Sequence, residues 1–324
     1  FDGRAPALEN GTFPGGSAVT GSKLNFSLTQ LEYVLSVYKF GHFAKAAEAC
    51  NVTQPTLSMQ ISKLEEELGV VIFDRSKKPI LLTEVGKKLI EQIQTVLYEA
   101  RKIESIVQED KEGDKTGELI LGVIPTVAPY LLPKLLPVLE KKFPSIDLKI
   151  MEMQTQSIID ALETDEIDVG VLAIPIEKPK FHEKILYYEP FYVLCQKNHE
   201  YAHSKKLKYN ALKLDDVWLL EEGHCLRNQV LDICSTRKAK NVRKRYQFES
   251  GSLETLKNLV DRYGGYTLLP YLATENVGSG SKIIQFERPI PAREIGLVHR
   301  REHYKSDLID ALGEAILESI PDEL

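Results

Sequence analysis

The hydrophobic period of this chain changes once, near Gly117, and that change constrains the fold more than any other feature. Before it, apolar residues recur at helical spacing. After it, strand-length apolar runs alternate with helical ones. Residues 119–124 read as a strand, 130–142 as a helix, 146–151 as a strand, 157–163 as a helix and 167–173 as a strand. That order predicts an α/β domain with a mostly parallel sheet flanked by helices. Further strand-like runs lie at 191–196, 217–220, 267–269, 283–286 and 295–299, ahead of a C-terminal helix over 307–320. The run at 295–299 is expected to return to the first half. Two subdomains follow, about 117–187 with 290–324 and about 188–289, joined by two crossovers, with a ligand cleft between them.

The helical half begins at 28–38, with Leu31, Val34, Leu35 and Tyr38 on one face. Gly41 interrupts it, and a short alanine-rich helix covers 44–49. Cys50, Asn51 and Val52 form a tight turn. Thr53 is then a good N-cap for a third helix that carries Pro55 in its first turn. Leu57, Ile61, Leu64 and Leu68 make a narrow apolar stripe along that helix. Its opposite face holds Pro55, Ser58, Met59, Ser62 and Lys63, with Gln54 and Gln60 at the flanks. A helix that packs by one stripe and offers small polar groups on the other suits a major-groove reader. A three-helix bundle with a solvated outer face fits the same pattern. Beyond Gly69, runs at 70–73 and 80–83 read as two short strands around a basic tip, Arg75-Ser76-Lys77-Lys78-Pro79. That is a winged helix-turn-helix, with the wing placed to meet phosphate.

Between the halves, Leu89, Ile93, Val96, Ala100, Ile103 and Val107 alternate spacings of four and three, a coiled-coil seam of about three heptads. A helix packed on its own domain is the alternative. Residues 108–114 lose the period and read as a polar hinge. The domain plan is therefore a winged helix-turn-helix over 24–83, a dimerising linker helix and hinge over 84–112, and an effector domain over 113–324. Residues 1–23 are rich in Gly, Pro, Ser and Thr and lack the basic start and apolar block of a secretory signal, so they are expected to stand outside the fold as a leader. No apolar run approaches the roughly 20 residues of a membrane span, so no membrane partner is expected. The net charge of −6 argues against bulk attraction to nucleic acid, leaving any basic surface to be local.

Four cysteines and no export signal point to the cytoplasm, where a disulfide serves as a switch rather than a staple. Cys50 and Cys195 sit in apolar runs and read as core thiols. Cys225 differs. It follows Gly223 and His224 at the start of a helix over 226–233, and a helix N-terminus, an imidazole and Arg227 each favour the nucleophilic thiolate. A buried structural thiol is the alternative. His182, His199, His203, His299 and His303 lack the paired spacing of a zinc site, and no cofactor-binding loop or Ser-His-Asp arrangement stands out. Neither a metal nor a cofactor is expected.

Several long runs together carry a resemblance. Phe43-Ala44-Lys45-Ala46-Ala47-Glu48, Thr53-Gln54-Pro55-Thr56-Leu57-Ser58, Ile61-Ser62-Lys63-Leu64-Glu65, Leu68-Gly69, Phe73-Asp74-Arg75 and Leu82-Thr83-Glu84-Val85-Gly86 resemble the signature of LysR-type regulators. The resemblance implies a periplasmic-binding-protein-like effector domain behind the winged head. It also implies double-stranded promoter DNA as a partner, with Gln54, Pro55, Thr56 and Ser58 facing bases and Lys63 and Arg75 nearer phosphate. A homo-oligomer paired through the linker helix, built as a dimer of dimers, and contact with RNA polymerase follow from the same source.

A second set of runs is similar to the peroxide-sensing members of that family. They are 219–229 with Cys234, 124–133, 252–256, 267–270, and Arg293 ahead of Ile295-Gly296-Leu297-Val298. This likeness implies that Cys225 attacks hydrogen peroxide to give a sulfenic acid and that Cys234 condenses with it to a disulfide. It further implies that Thr126 and Thr155 hold the peroxide while His224 and Arg293 stabilise developing negative charge. The threonines could instead cap the chain, His224 could be a surface loop residue, and Arg293 could pair with a carboxylate. Nine residues of continuous helix span roughly 13–14 Å, whereas a disulfide needs the two Cα atoms within about 7 Å. A Cys225–Cys234 bond would therefore unwind a helix over 226–233, as a conformational switch requires. Two other functions remain open: a LysR-type regulator that senses a metabolite in its cleft, and a thiol peroxidase. The reading head and the lack of a Cys-x-x-Cys motif weigh against the latter, so no enzyme activity is expected.

Overall fold

The computed structural model describes residues 25–109, 115–213, 216–233, 251–301 and 303–324. The leader at 1–23, Cys234 and residues 110–114 of the expected hinge lie outside them. The chain divides into two compact units, Phe1–Leu97 and Tyr98–Leu324. Among the described residues no helix is long and apolar enough to cross a membrane.

In the first unit α1 (Leu28–Phe40) opens on a capping box, Gln30 N–H donating to Ser27 Oγ and Ser27 N–H to Gln30 Oε1. It stops at Gly41, which adopts the left-handed conformation at φ 59°. After α2 (Phe43–Ala49), Thr53 Oγ1 accepts the Thr56 N–H and starts α3 (Gln54–Leu68). Leu31, Val34 and Val37 of α1 close on Phe43, Ala46, Leu57, Ile61 and Leu64. Two expected face residues are excluded from this core. Tyr38 is exposed because α2 and α3 cover the 31–34–37 face, and Leu68 is exposed because Gly69 ends α3 before another turn can cover it. Strands β1 (Phe73–Asp74) and β2 (Leu81–Leu82) are antiparallel, Phe73 opposite Leu82, and shorter than the apolar runs predicted. They bracket the basic tip.

The linker helix α4 (Glu84–Glu109) runs two residues into the stretch read as hinge. Its seam needs a correction. Ile93 is buried in its own chain, with Ile90 and Leu97, against the core of the first unit. Leu89, Val96 and Ala100 are half-buried and Ile103 is 67% exposed, while the Val107 side chain lies outside the described set. One face of α4 packs inward, so only the neighbouring stripe is open to a partner.

The second unit follows the expected alternation: β3 (Gly117–Val123), α5 (Ala128–Lys142), β4 (Ile146–Glu152), α6 (Thr155–Glu163), β5 (Val169–Ile174). Strand β3 pairs in parallel with both β4 and β5. Next comes β6, a 16-residue strand (Phe181–Gln196) of which only the last six residues were predicted. His182, Glu183, Lys184 and Glu189 break its apolar run and Pro190 interrupts it, so its first half has no strand signature. The rest is β7 (Lys206–Leu207), α7 (Cys225–Ile233), α8 (Leu253–Tyr263), β8 (Tyr266–Pro270), β9 (Ser281–Phe286), β10 (Ala292–Arg300) and α9 (Ser306–Ser319). The run at 217–220 forms only a single bridge, Val217 to Tyr266, instead of a strand.

The sheet explains the two subdomains. The first half of β6 pairs with β10, which in turn pairs with β5. From Phe191 onward β6 pairs with β8 and β9 instead. Each half has its own apolar core, one around Leu121, Val171 and Leu297, the other around Val193, Leu268 and Ile284. Strand β6 and the segment entering β10 are the two crossovers, and Phe191 N–H donates to Pro291 O across them at 2.8 Å.

Candidate functional site

Two helix starts meet at one sulfur. Cys225 is the first residue of α7 and Thr155 the first of α6, and Cys225 Sγ stands 3.1 Å from Thr155 Oγ1, where either can donate. Gly223 permits the approach. It adopts φ 98°, and a Cβ there would fall 2.7 Å from Gln154 Oε1, against the residue that precedes α6. Arg227, expected to favour a thiolate by proximity, donates its Nη1 to Leu220 O at 2.9 Å and so pins the loop that enters α7.

His224 is buried, its side chain 3% exposed, which sets aside the surface-loop alternative. Its Nε2 has no hydrogen-bond partner among the described residues, and Glu221 Oε1 lies 3.7 Å away. A buried polar nitrogen without a partner is costly, so the position favours a site that exchanges partners over one built only for packing.

Thr126 and Arg293 form a second pair. Arg293 Nη1 donates to Thr126 Oγ1 at 3.0 Å and Nη2 to Thr126 O at 3.2 Å. The same guanidinium also meets Glu189, Nε at 2.9 Å and Nη2 at 2.7 Å from Oε2. The carboxylate alternative for Arg293 is thus realised together with the threonine contact, and Arg293 is not a free positive charge. Glu189 escaped the sequence reading, because a single carboxylate between Tyr188 and Pro190 has no motif; only the register opposite Arg293 reveals it. Beside this pair, burial and the Glu189 charge hold the Tyr187 phenol well above its usual range.

Pro125, Gln154 and His224, the chain neighbours of Thr126, Thr155 and Cys225, all line a cavity of about 430 Å³. Tyr130 and Glu254 also line it, and the Tyr130 hydroxyl donates to Glu254 Oε1 at 2.7 Å. Burial first, and then this bond, push the Tyr130 phenol far up. Elsewhere, burial raises the Cys195 thiol to about 11, which leaves it a protonated core group. Cys50 is the half-buried residue that ends α2.

On the first unit, Gln54, Pro55 and Thr56 are exposed at the start of α3, Ser58 is half-buried and Lys63 is exposed. Thr56 Oγ1 is 2.8 Å from Thr53 Oγ1, so its hydroxyl belongs partly to the helix cap. Met59 is 62% exposed on the same face and was not counted among the base-facing residues. Arg75 is exposed but held by its own chain: Nη2 meets Glu65 Oε2 at 2.8 Å and Ser62 Oγ at 3.0 Å, and its guanidinium lies over the Phe43 ring. It braces the wing against α3, so a phosphate would have to compete with Glu65 for it.

Comparison with known families matches residues 28–87 to the bacterial regulatory helix-turn-helix protein of the lysR family and residues 112–321 to the LysR substrate binding domain. The chain belongs to the LysR family. Among its LysR-family relatives, the hydrogen peroxide-inducible genes activator of Haemophilus influenzae is 39% identical over 276 residues, 85% of this chain and 90% of that protein. A full-length cysteine-to-aspartate variant of OxyR from Pseudomonas aeruginosa superposes with a TM-score of 0.77 at 35% identity, covering 90% of this chain and 94% of that one. A cysteine-to-serine variant of Corynebacterium glutamicum OxyR with hydrogen peroxide bound gives 0.59 at 30% identity, covering 90% and 92%.

Proposed function

We propose that this LysR-family protein is a peroxide-responsive transcription activator of the OxyR kind, with Cys225 as the residue that reacts. The observation that carries the reading is the Cys225 sulfur, at a helix start and 3.1 Å from the Thr155 hydroxyl, with the chain neighbours Gln154 and His224 lining a cavity large enough for peroxide and water. The Cys225 thiolate attacks one peroxide oxygen. The S–O bond forms, the O–O bond breaks, and the leaving hydroxide takes up the proton given up by the thiol and departs as water. The Cys234 thiol then displaces the sulfenic oxygen as a second water, forming the disulfide. Thr155 holds the sulfur side of the peroxide and Thr126 the far side.

The helix α7 runs unbroken from Cys225 to Ile233, immediately before Cys234 in sequence. Joining the two cysteines requires unwinding it, and that refolding is the signal. The signal reaches promoter DNA through paired chains. Pairing uses the stripe of α4 beside Ile93, with exposed Val85 and Ile103 and half-buried Leu89, Val96 and Ala100, in place of Ile93, whose side chain is buried in its own chain. Two such pairs form the tetramer, which reads a roughly two-fold operator through Gln54, Pro55, Thr56 and Ser58, with Lys63 and Arg75 toward phosphate, and contacts RNA polymerase in the cytoplasm.

Peptide mapping of the reduced protein, before and after about one equivalent of peroxide, tests this. A fast Cys225–Cys234 bond, absent in Cys225→Ser, is expected. Thiols that stay reduced would overturn it and leave a metabolite in the 430 Å³ cavity as the signal.

A further inference from the structure

The Glu189–Arg293 pair lies where the two crossover strands part. The two residues stand directly opposite each other on antiparallel β6 and β10, one pair before Pro190 meets Ala292 and β6 turns to its other neighbours. Both side chains are sealed from water, Arg293 1% and Glu189 0% exposed. A buried ion pair is a poor device for stability alone, since well-packed apolar groups often serve as well. Its arrangement needs another explanation.

Both carboxylate oxygens of Glu189 are engaged. Oε1 accepts the Leu272 N–H at 2.8 Å, and Oε2 accepts Nε and Nη2 of Arg293. Two contacts on one edge of a planar, rigid guanidinium fix its plane, and in that plane one N–H of Nη1 is aimed at Thr126 Oγ1. Arginine has only donors, so Thr126 Oγ1 must accept. The one hydroxyl hydrogen of Thr126 is then available to donate, and no acceptor among the described residues takes it. At the same time the carboxylate offsets most of the guanidinium charge, so the arginine contributes direction more than field.

We propose that Glu189 is a positioning residue for the peroxide reaction: by clamping Arg293 it commits the Thr126 hydroxyl to donate toward the peroxide oxygen that leaves as hydroxide. This rests on the reading of Cys225 as the peroxide-reactive thiol. The S–O bond forms as the O–O bond breaks, and the departing oxygen carries the electron pair of the broken bond. A donor already aimed at that oxygen stabilises the charge as it develops, without reorganising. Iodoacetamide needs no such donor, because its leaving iodide is stable unprotonated. The clamp therefore makes Cys225 selective for peroxide among thiol-reactive electrophiles.

The test compares the rates at which peroxide and iodoacetamide consume the Cys225 thiol, by peptide mapping of the reduced full chain. In Glu189→Gln the peroxide rate is expected to fall by about tenfold to a hundredfold while the iodoacetamide rate stays within about twofold. An equal fall in both rates, or no fall in either, overturns the proposal, because a merely structural role predicts no split. Arg293→Lys, which keeps the charge but loses the fork to Thr126, should show the same split and carries the test if Glu189→Gln does not fold. Thr126→Ser, which retains the hydroxyl, should restore most of the selectivity that Thr126→Val loses. The wild-type chain separates the two readings: if its Cys225 does not react with peroxide at all, the sensor assignment has failed before Glu189 is in question.

Discussion

The two sides of the candidate site are held in opposite ways. On the arginine side every described polar atom of Glu189 and Arg293 is engaged, on adjacent strands at the crossover between two cores. On the sulfur side Cys225 has one hydrogen-bond contact, His224 Nε2 has no hydrogen bond among the described residues and only Glu221 Oε1 at 3.7 Å, and both sit at the start of a nine-residue helix. A redox switch needs both halves. The oxidant must be met by a fixed donor set, while the oxidised sulfur must be free to leave. Under the proposed function, rigidity falls to the strands and motion to α7, a nine-residue helix that packs Leu226 and Val230 into the second core.

The largest test is Cys225→Ser, which should abolish the peroxide-dependent change in operator footprint while leaving reduced-state DNA binding in place. Glu189→Ala comes next. It strands a buried guanidinium and should cost about 3–5 kcal/mol in urea unfolding of the effector domain. Gly223→Ala strains a left-handed position and crowds Gln154, and should cost about 1–2 kcal/mol by the same measurement. Thr155→Val removes a single half-buried contact, so about 1 kcal/mol or less is expected, alongside a clear loss of peroxide rate. A Thr155→Val chain as unstable as Glu189→Ala would break the contrast between a fixed side and a mobile one. The smallest effect is expected at Cys195. Burial holds its thiol up at about 11, so it stays protonated below that pH. In the folded chain at pH 8 iodoacetamide should label Cys225 and spare Cys195, with Cys195 labelling rising only as pH approaches 11 or on unfolding.

Much of the reading head was legible because its signals are local. The Thr53 cap, Pro55 in the first turn, the Leu57–Ile61–Leu64 stripe and the Gly69 stop all act within a few residues, and α3 obeys each. The reading failed where a neighbour in space decides. Tyr38 and Leu68 fit their periods yet lie outside the core, and Ile93 fits a dimer seam yet is buried in its own chain. The first ten residues of β6 carry charges and a proline, and form a strand because β10 is there to pair with them.

The site divides along the same line. The sequence singled out Cys225 by its place at a helix start, and the family resemblance added Thr126, His224 and Arg293 through long ordered runs and Thr155 through the short match Gln154-Thr155; the sequence also determined the order of domains and the helix after Cys225. Only the tertiary structure decided that Thr155 touches the sulfur, that Thr126 is bonded to the arginine, and that Glu189 holds that arginine. Helical caps and apolar periods are written between residues a few positions apart. The Thr155–Cys225 and Glu189–Arg293 contacts join residues 70 and 104 positions apart, and strand register and the packing of two helix starts bring them together.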